Sequence, residues 1–240
     1  EMLRSLVGSE MCIRDRTMIE IKNLNKIYLK GKKNMVHALN NINLKIDDRE
    51  TVAIIGESGA GKSTLLHIMS CIDNFDGEYY LDNIDINKLS ESKKSKLRSS
   101  KIGIVLQDFA LIDDFTVFEN VMTPLYFNKK IKDKKSSVMR ALKKTGIASL
   151  KSKKVSQLSG GQKQRVAISR ALVTSPEYIF ADEPTGSLDS KTSEEIVKML
   201  FDLNRNGITI IIVTHNLDIA NKCQRVIEIK DGNIIEDNCS

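Results

Sequence analysis

Long apolar runs are missing from this 240-residue chain: stretches such as "IIIV" at Ile210 to Val213 fall far short of the roughly 20 residues that a membrane-spanning helix needs. The chain is therefore not expected to cross a bilayer itself. Four cysteines, Cys12, Cys71, Cys223 and Cys239, lack metal-ligand spacing, and no secretory signal is evident. Disulfides are thus improbable, and a reduced cytosolic compartment is expected. Internal repeats are missing, as is any low-complexity tract longer than short lysine runs. What is present, 41% hydrophobic residues over 240 positions, suits one large domain or a domain with an insertion.

The first residues stand apart. "LVGSEMCIRD", Leu6 to Asp15, resembles the conceptual translation of a transposase adapter used in sequencing libraries. Residues 1 to about 17 are accordingly set aside, and Met18 is expected as the natural start. Removing them takes away Arg4, Arg14 and Arg16 together with Glu1, Glu10 and Asp15, so the net charge of +6 is unaffected. Much of that charge sits in "ESKKSKLR", "NKKIKDKK" and "LKSKK", which read as solvated helix faces or loops. No direct nucleic-acid binding is expected; an anionic membrane surface is the better electrostatic partner.

Strands alternate with helices along the chain. "IEIKNLNKIY" and "INLKI" read as half-polar strands, whereas "TVAIIG", "KIGIVLQ", "YIFAD" and "ITIIIVTH" are compact apolar runs of the kind buried on both sheet faces. Helical patterns follow three of these four, at "KSTLLHIMSC", "SKTSEEIVKMLFDLN" and "NLDIANKC". This pattern predicts an α/β fold with a largely parallel core sheet. Between Asp108 and Gln157 strand patterns give way to "TVFENVMTPLYF" and "KKSSVMRALKKTG", predicting an inserted helical subdomain at about 108–157.

"GESGAGKST", Gly56 to Thr64, matches G-x-x-x-x-G-K-[ST] and lies between an apolar strand and an amphipathic helix. Such a loop presents backbone N–H groups and a helix N-terminus to phosphates. Its candidate nucleotide-binding residues are Gly56, Ser58, Gly59, Ala60, Gly61, Lys62, Ser63 and Thr64. Lys62 is expected on the β- and γ-phosphates, the Ser63 hydroxyl on Mg²⁺, and Thr64 on a further phosphate oxygen. In "YIFADEPTG", Asp182 ends a strand where its carboxylate can reach Mg²⁺ through water. Adjacent Glu183 is the candidate general base.

Together, "GESGAGKST", Gln107 after "IGIVL", "LSGGQKQRVAISRAL", "YIFADEPTGSLD" and "IIVTH" resemble an ATP-binding cassette ATPase over Met18 to about Asp237. That resemblance implies a P-loop, RecA-like core with an N-terminal antiparallel β subdomain and the helical insertion. It also explains a second glycine loop. In this family such a loop caps the ATP held by another subunit, so Ser159, Gly160, Gly161 and Gln162 are expected to face the γ-phosphate of a partner's ATP in a head-to-tail homodimer. Tyr28 is expected to stack on adenine, Gln107 to touch Mg²⁺ or the lytic water, and His215 to contact the γ-phosphate. Asp189 either reaches across the dimer interface or caps the following helix. Ala60 stands where Ser is frequent and Ser187 where Asn is; neither change removes a catalytic group.

"STLLHIMSCIDNFDGEYYLDNIDINKLS" and "PTGSLDSKTSEEI" look like the group serving lipoprotein release, macrolide export and antimicrobial-peptide export. The resemblance implies a cytoplasmic ATPase on the inner face of the membrane, driving a separate integral membrane permease. A relative of that group offers the alternative of regulating cell-wall hydrolases through its membrane partner without transport. Docking of the partner is expected near Gln107 to Phe127, where Phe109, Leu111, Ile112, Phe115 and Phe118 exceed the needs of two helical faces, rimmed by Asp108, Asp113, Asp114 and Glu119.

Overall fold

The computed structural model describes residues 17–239 except Lys30, Lys32, Lys33 and Lys129. The segment read as an adapter lies outside the described residues but for Thr17, where the first strand begins.

The chain opens with two long strands, β1 (Thr17–Tyr28) and β2 (Val36–Asp47), then β3 (Thr51–Ile55) and α1 (Lys62–Met69). After them come β4 (Asp76–Leu81), β5 (Ile84–Asp85), α2 (Glu91–Lys101) and β6 (Ile102–Val105). Three helices follow, α3 (Val117–Phe127), α4 (Lys134–Lys144) and α5 (Gly160–Leu172). The rest is β7 (Tyr178–Asp182), α6 (Ser190–Arg205), β8 (Thr209–Val213), α7 (Leu217–Ala220), β9 (Arg225–Lys230) and β10 (Asn233–Cys239).

Two sheets result. One is antiparallel, in the order β2-β1-β4-β5; the other runs β10-β9-β3-β8-β7-β6. In the larger sheet every pairing from β9 to β6 is parallel, and only the edge strand β10 is antiparallel. The expected α/β class with an N-terminal antiparallel subdomain holds. The central strands alternate their side chains between two apolar layers: Ile179, Ala181, Ile210 and Ile212 face the α5 and α6 side. Phe180, Ile211, Val213 and Ile54 face α1 and the antiparallel sheet. Burial on both faces is why these strands read as unbroken apolar runs rather than alternating ones.

Four strands escape the sequence pattern. β5 and β10 are edge strands, and β4 and β9, though flanked on both sides, mix charged and polar residues with their apolar ones, so their alternation is diluted. Their place is decided by pairing: β4 joins β1 through Ile19 opposite Leu81 and Ile21 opposite Tyr79. "NLDIANKC" contracts to the four helical residues of α7, capped by Asn216, whose side chain accepts from the amides of Asp218 and Ile219. Cys71 and Cys223 are free, buried thiols; burial pushes their pKa values up to about 11 and about 12, and they pack as small apolar groups. Among the described residues no helix is long and apolar enough to cross a membrane.

The antiparallel sheet is tied to α1 at Tyr79, whose fully buried hydroxyl donates to the Met69 carbonyl at the end of α1, 2.6 Å away. Tyr79→Phe leaves that carbonyl without its donor while keeping the ring. A loss of about 1–2 kcal/mol is expected, read as a lower urea midpoint at unchanged slope; an unaltered midpoint would show the bond to be energetically silent.

Candidate active site

A cleft of about 530 Å³ opens at the C-terminal ends of β3, β7 and β8, the edge at which open α/β sheets bind ligands. Its floor is the loop between β3 and α1. Gly56 has φ +144°, and a Cβ there would lie 2.1 Å from the Ile229 carbonyl oxygen. Gly61, the N-cap of α1, has φ +105°, and a Cβ there would come within 2.4 Å of the Ala38 carbonyl oxygen. No other residue fits either place. Because the cap is a glycine, no side chain closes the first turn of α1, and its amides are left for an anion. Lys62 folds over the loop, its Nζ donating to the carbonyls of Gly56 and Glu57, each at 2.8 Å.

Three strand ends deliver the remaining groups. From β7, Asp182 Oδ1 accepts from the Ser63 hydroxyl at 3.2 Å, although 119 residues separate the two. Glu183 follows in a left-handed conformation, φ +43°, with its amide on the Val213 carbonyl at 2.9 Å. That turn swings its carboxylate to His215, whose Nδ1 stands 2.9 Å from Glu183 Oε1. An ionised carboxylate only accepts, so Nδ1 carries the proton in this contact. Gln107, just past β6, also lines the cleft, as do Tyr28, Ser58, Gly59 and Thr64. Ala60 keeps its place in the loop but turns its methyl into the core.

No cluster of three or more His, Cys, Asp or Glu side chains capable of holding a metal exists among the described residues. One hydroxyl facing one carboxylate beside a phosphate loop suits an ion that keeps its waters and binds largely through substrate phosphates, as Mg²⁺ does.

Ser159, Gly160, Gly161, Gln162 and Asp189 do not line this cleft. Ser159 caps α5 in a reciprocal capping box, its Oγ accepting from the Gln162 amide at 3.4 Å while Gln162 Oε1 accepts from the Ser159 amide at 3.2 Å. A Cβ at Gly161 would lie 2.4 Å from Thr192 Cγ2, so this glycine also lets α5 pack against the start of α6. Asp189 caps α6, accepting from the Thr192 hydroxyl at 2.6 Å and the Thr192 amide at 3.0 Å. Those bonds hold its carboxyl below the ordinary carboxylate range. Of the two roles open to Asp189 in the sequence, a single chain displays the cap.

Other supporting side chains escape sequence reasoning. Buried Gln164 of α5 donates to the Pro184 carbonyl at 2.7 Å, directly behind Glu183. Arg170 of the same helix donates to the carbonyls of Phe109 and Ala110, both left-handed at φ +60° and +44°, and so shapes the turn after Gln107. Buried Asn120 closes the next stretch by bonding the amide and carbonyl of Ile112 and the carbonyl of Thr116. "QKQR" and the "SRAL" arginine are visible in the sequence, but nothing local says which carbonyls they meet.

The apolar segment after Gln107 divides. Leu111 and Phe118 pack against the core, whereas Ile112 and Phe115 remain exposed. Asp113 stands 3.6 Å from Lys163 and Asp114 3.9 Å from Lys154. An apolar groove of about 370 Å³ takes in the two ends of this segment, lined by Ile72, Ile102, Leu106, Pro124 and Phe127 and flanked by Arg98 and Arg170.

A family model described as ABC transporter matches residues 39–186. The chain is 45% identical over 222 residues to the uncharacterized ABC transporter ATP-binding protein YvrO of Bacillus subtilis, covering 92% of this chain and 96% of that protein. It is equally identical over 222 residues to the macrolide export ATP-binding/permease protein MacB of Mannheimia succiniciproducens, but spans only 34% of that protein's length. Among solved structures, the ATP-binding cassette MJ0796, a dimer in a post-hydrolysis state bound to ADP and Pi, superposes with a TM-score of 0.85 at 41% identity over 92% of this chain and 98% of that one. MJ0796 comes from Methanocaldococcus jannaschii.

Proposed function

The chain belongs to the ABC transporter ATP-binding family and is an ATPase of that kind, and on that premise we propose that it works as a homodimer driving a separate membrane permease that exports a peptide, a lipoprotein or an antibiotic. The observation that carries this reading is the single cleft joining the phosphate loop to Asp182, Glu183 and His215.

In the proposed cycle, Lys62 and the first-turn amides of α1, with Gly56, Ser58, Gly59, Ala60, Gly61 and Thr64 around them, bind the phosphates. Tyr28 stacks on the base. Ser63, Asp182 and Gln107 hold Mg²⁺, which when bound neutralises phosphate charge. Glu183 takes the proton from the attacking water, and His215, hydrogen-bonded to Oε1, keeps that carboxylate aimed. In one chain Ser159 lies away from the cleft at the exposed N-terminus of α5, which supports a role on the ATP of a second copy. There Ser159, Gly160, Gly161 and Gln162 of the partner subunit close over the γ-phosphate, and Asp189 of the partner subunit lies alongside. Losing the γ-phosphate loosens that contact, so hydrolysis separates the two halves.

The permease is proposed to seat a cytoplasmic helix in the groove at Leu106, Pro124 and Phe127, which adjoins the turn after Gln107 through Arg170. The MacB relatives, named for macrolide export, support an exporter. Phe127→Asp places a charge in that groove, away from the catalytic cleft. Co-purification with an integral membrane protein is expected to be lost while basal ATPase activity persists. Retained co-purification moves the docking surface elsewhere, and failure of the parent chain to bring down any membrane protein refutes the permease reading.

A further inference from the structure

Tyr28 is held by more than its strand. Lys26 and Tyr28 sit two apart on β1 and so share a face. The loop after α1 brings Asp73 between them. One carboxylate oxygen, Oδ1, accepts from Lys26 Nζ at 2.6 Å and from the Asn74 amide at 2.7 Å; the other, Oδ2, accepts from the Tyr28 hydroxyl at 2.8 Å. The Lys26 ammonium also donates to the Asn74 carbonyl at 2.6 Å and stands 4.8 Å from the centre of the Tyr28 ring, within cation–π range. Burial presses the Asp73 carboxyl upward, but the bonds from Lys26, Tyr28 and Asn74 outweigh it and hold the group below its ordinary value. It is therefore charged at neutral pH.

An ion pair that merely tied β1 to the loop would need only Lys26 and one oxygen. Here the second oxygen fixes the hydroxyl, and the ammonium lies against the ring, while the ring still lines the cleft. We infer that Asp73 is a positioning residue for the nucleotide base: with Lys26 it sets the Tyr28 ring in its stacking orientation before the base arrives. The inference rests on the reading that Tyr28 stacks on the base. Its benefit is pre-organisation, since a ring ordered by folding does not have to be ordered by the ligand. That benefit reaches only ligands that carry a base.

The test pairs the KM for ATP with the inhibition constant of inorganic triphosphate, which has the phosphates and no base. Asp73→Ala is expected to raise the KM for ATP about two- to tenfold, the cost of immobilising one side chain on binding, with kcat and the triphosphate constant unchanged. In a Tyr28→Ala background the same change is expected to add nothing further. Asp73→Asn, which retains an acceptor for the hydroxyl, is expected to recover part of the loss. Should Asp73→Ala fail to fold, Lys26→Met removes the ammonium that pairs with Oδ1 and lies against the ring, and is expected to show the same split. A fall in kcat, a parallel rise in the triphosphate constant, or additive effects with Tyr28→Ala would overturn the inference. An unchanged KM in Tyr28→Ala would remove base stacking and the inference together. A raised KM there beside an unchanged one in Asp73→Ala would refute the inference alone.

Discussion

Glu183→Gln protein is expected to bind ATP as tightly as the parent and to hydrolyse it about 10² to 10⁴ times more slowly, the scale of losing a positioned general base. The amide matches the carboxylate in shape, so the left-handed turn at Glu183 and the hydrogen bond from its backbone N–H to the Val213 carbonyl are retained. What disappears is the acceptor for a proton from water. His215 is not expected to replace it, because its Nδ1 is engaged with Oε1. Steady-state phosphate release and equilibrium ATP binding on the same preparation separate the two effects. Near-parental hydrolysis would reassign the base. The contrast is Lys62→Ala: it removes the ammonium poised over Gly56 and Glu57 and is expected to weaken ATP binding itself, so an unaltered affinity there would contradict its phosphate role.

Glu183→Gln protein is also expected to shift from monomer to dimer when ATP and Mg²⁺ are added, since the sandwiched nucleotide is no longer consumed. A substitution at Ser159 is expected to abolish that shift, and the capping box decides which substitution tests it cleanly. Ser159→Arg blocks the γ-phosphate but also strips the N-cap from α5, a loss of about 1 kcal/mol in its own right. Ser159→Asp keeps a good cap, because a carboxylate can still accept from the Gln162 amide, yet sets a negative charge against phosphate. Both variants are expected to remain monomeric with ATP present in light scattering. A dimer that survives Ser159→Asp, or a mass that never depends on ATP, would sink the head-to-tail arrangement.

Much of the cleft was legible because its chemistry is written contiguously. The phosphate loop needs glycines at fixed offsets and a helix directly after them, and all of that lies between Gly56 and Met69. The paired carboxylates Asp182 and Glu183 end an apolar run whose length and composition already mark a strand buried on both faces. LSGGQ opens a helix with its own capping box. These features are local, and local sequence dictates them.

Tertiary structure alone decided which distant groups meet. In the core sheet β8 lies between β3 and β7, and β6 lies beyond β7, so neighbours in space are remote in the chain. That order lets Ser63 reach Asp182 and His215 reach Glu183. Asp73 meets Tyr28 across 45 residues, because β4 pairs with β1 and draws in the loop before it. Gln164 and Arg170 find carbonyls on other segments for the same reason, through the packing of α5. Periodicity specifies which face of an element is buried; it carries no record of which element will cover that face. The partner is chosen when whole apolar layers close together, and the polar contacts that tune the cleft follow from that closure.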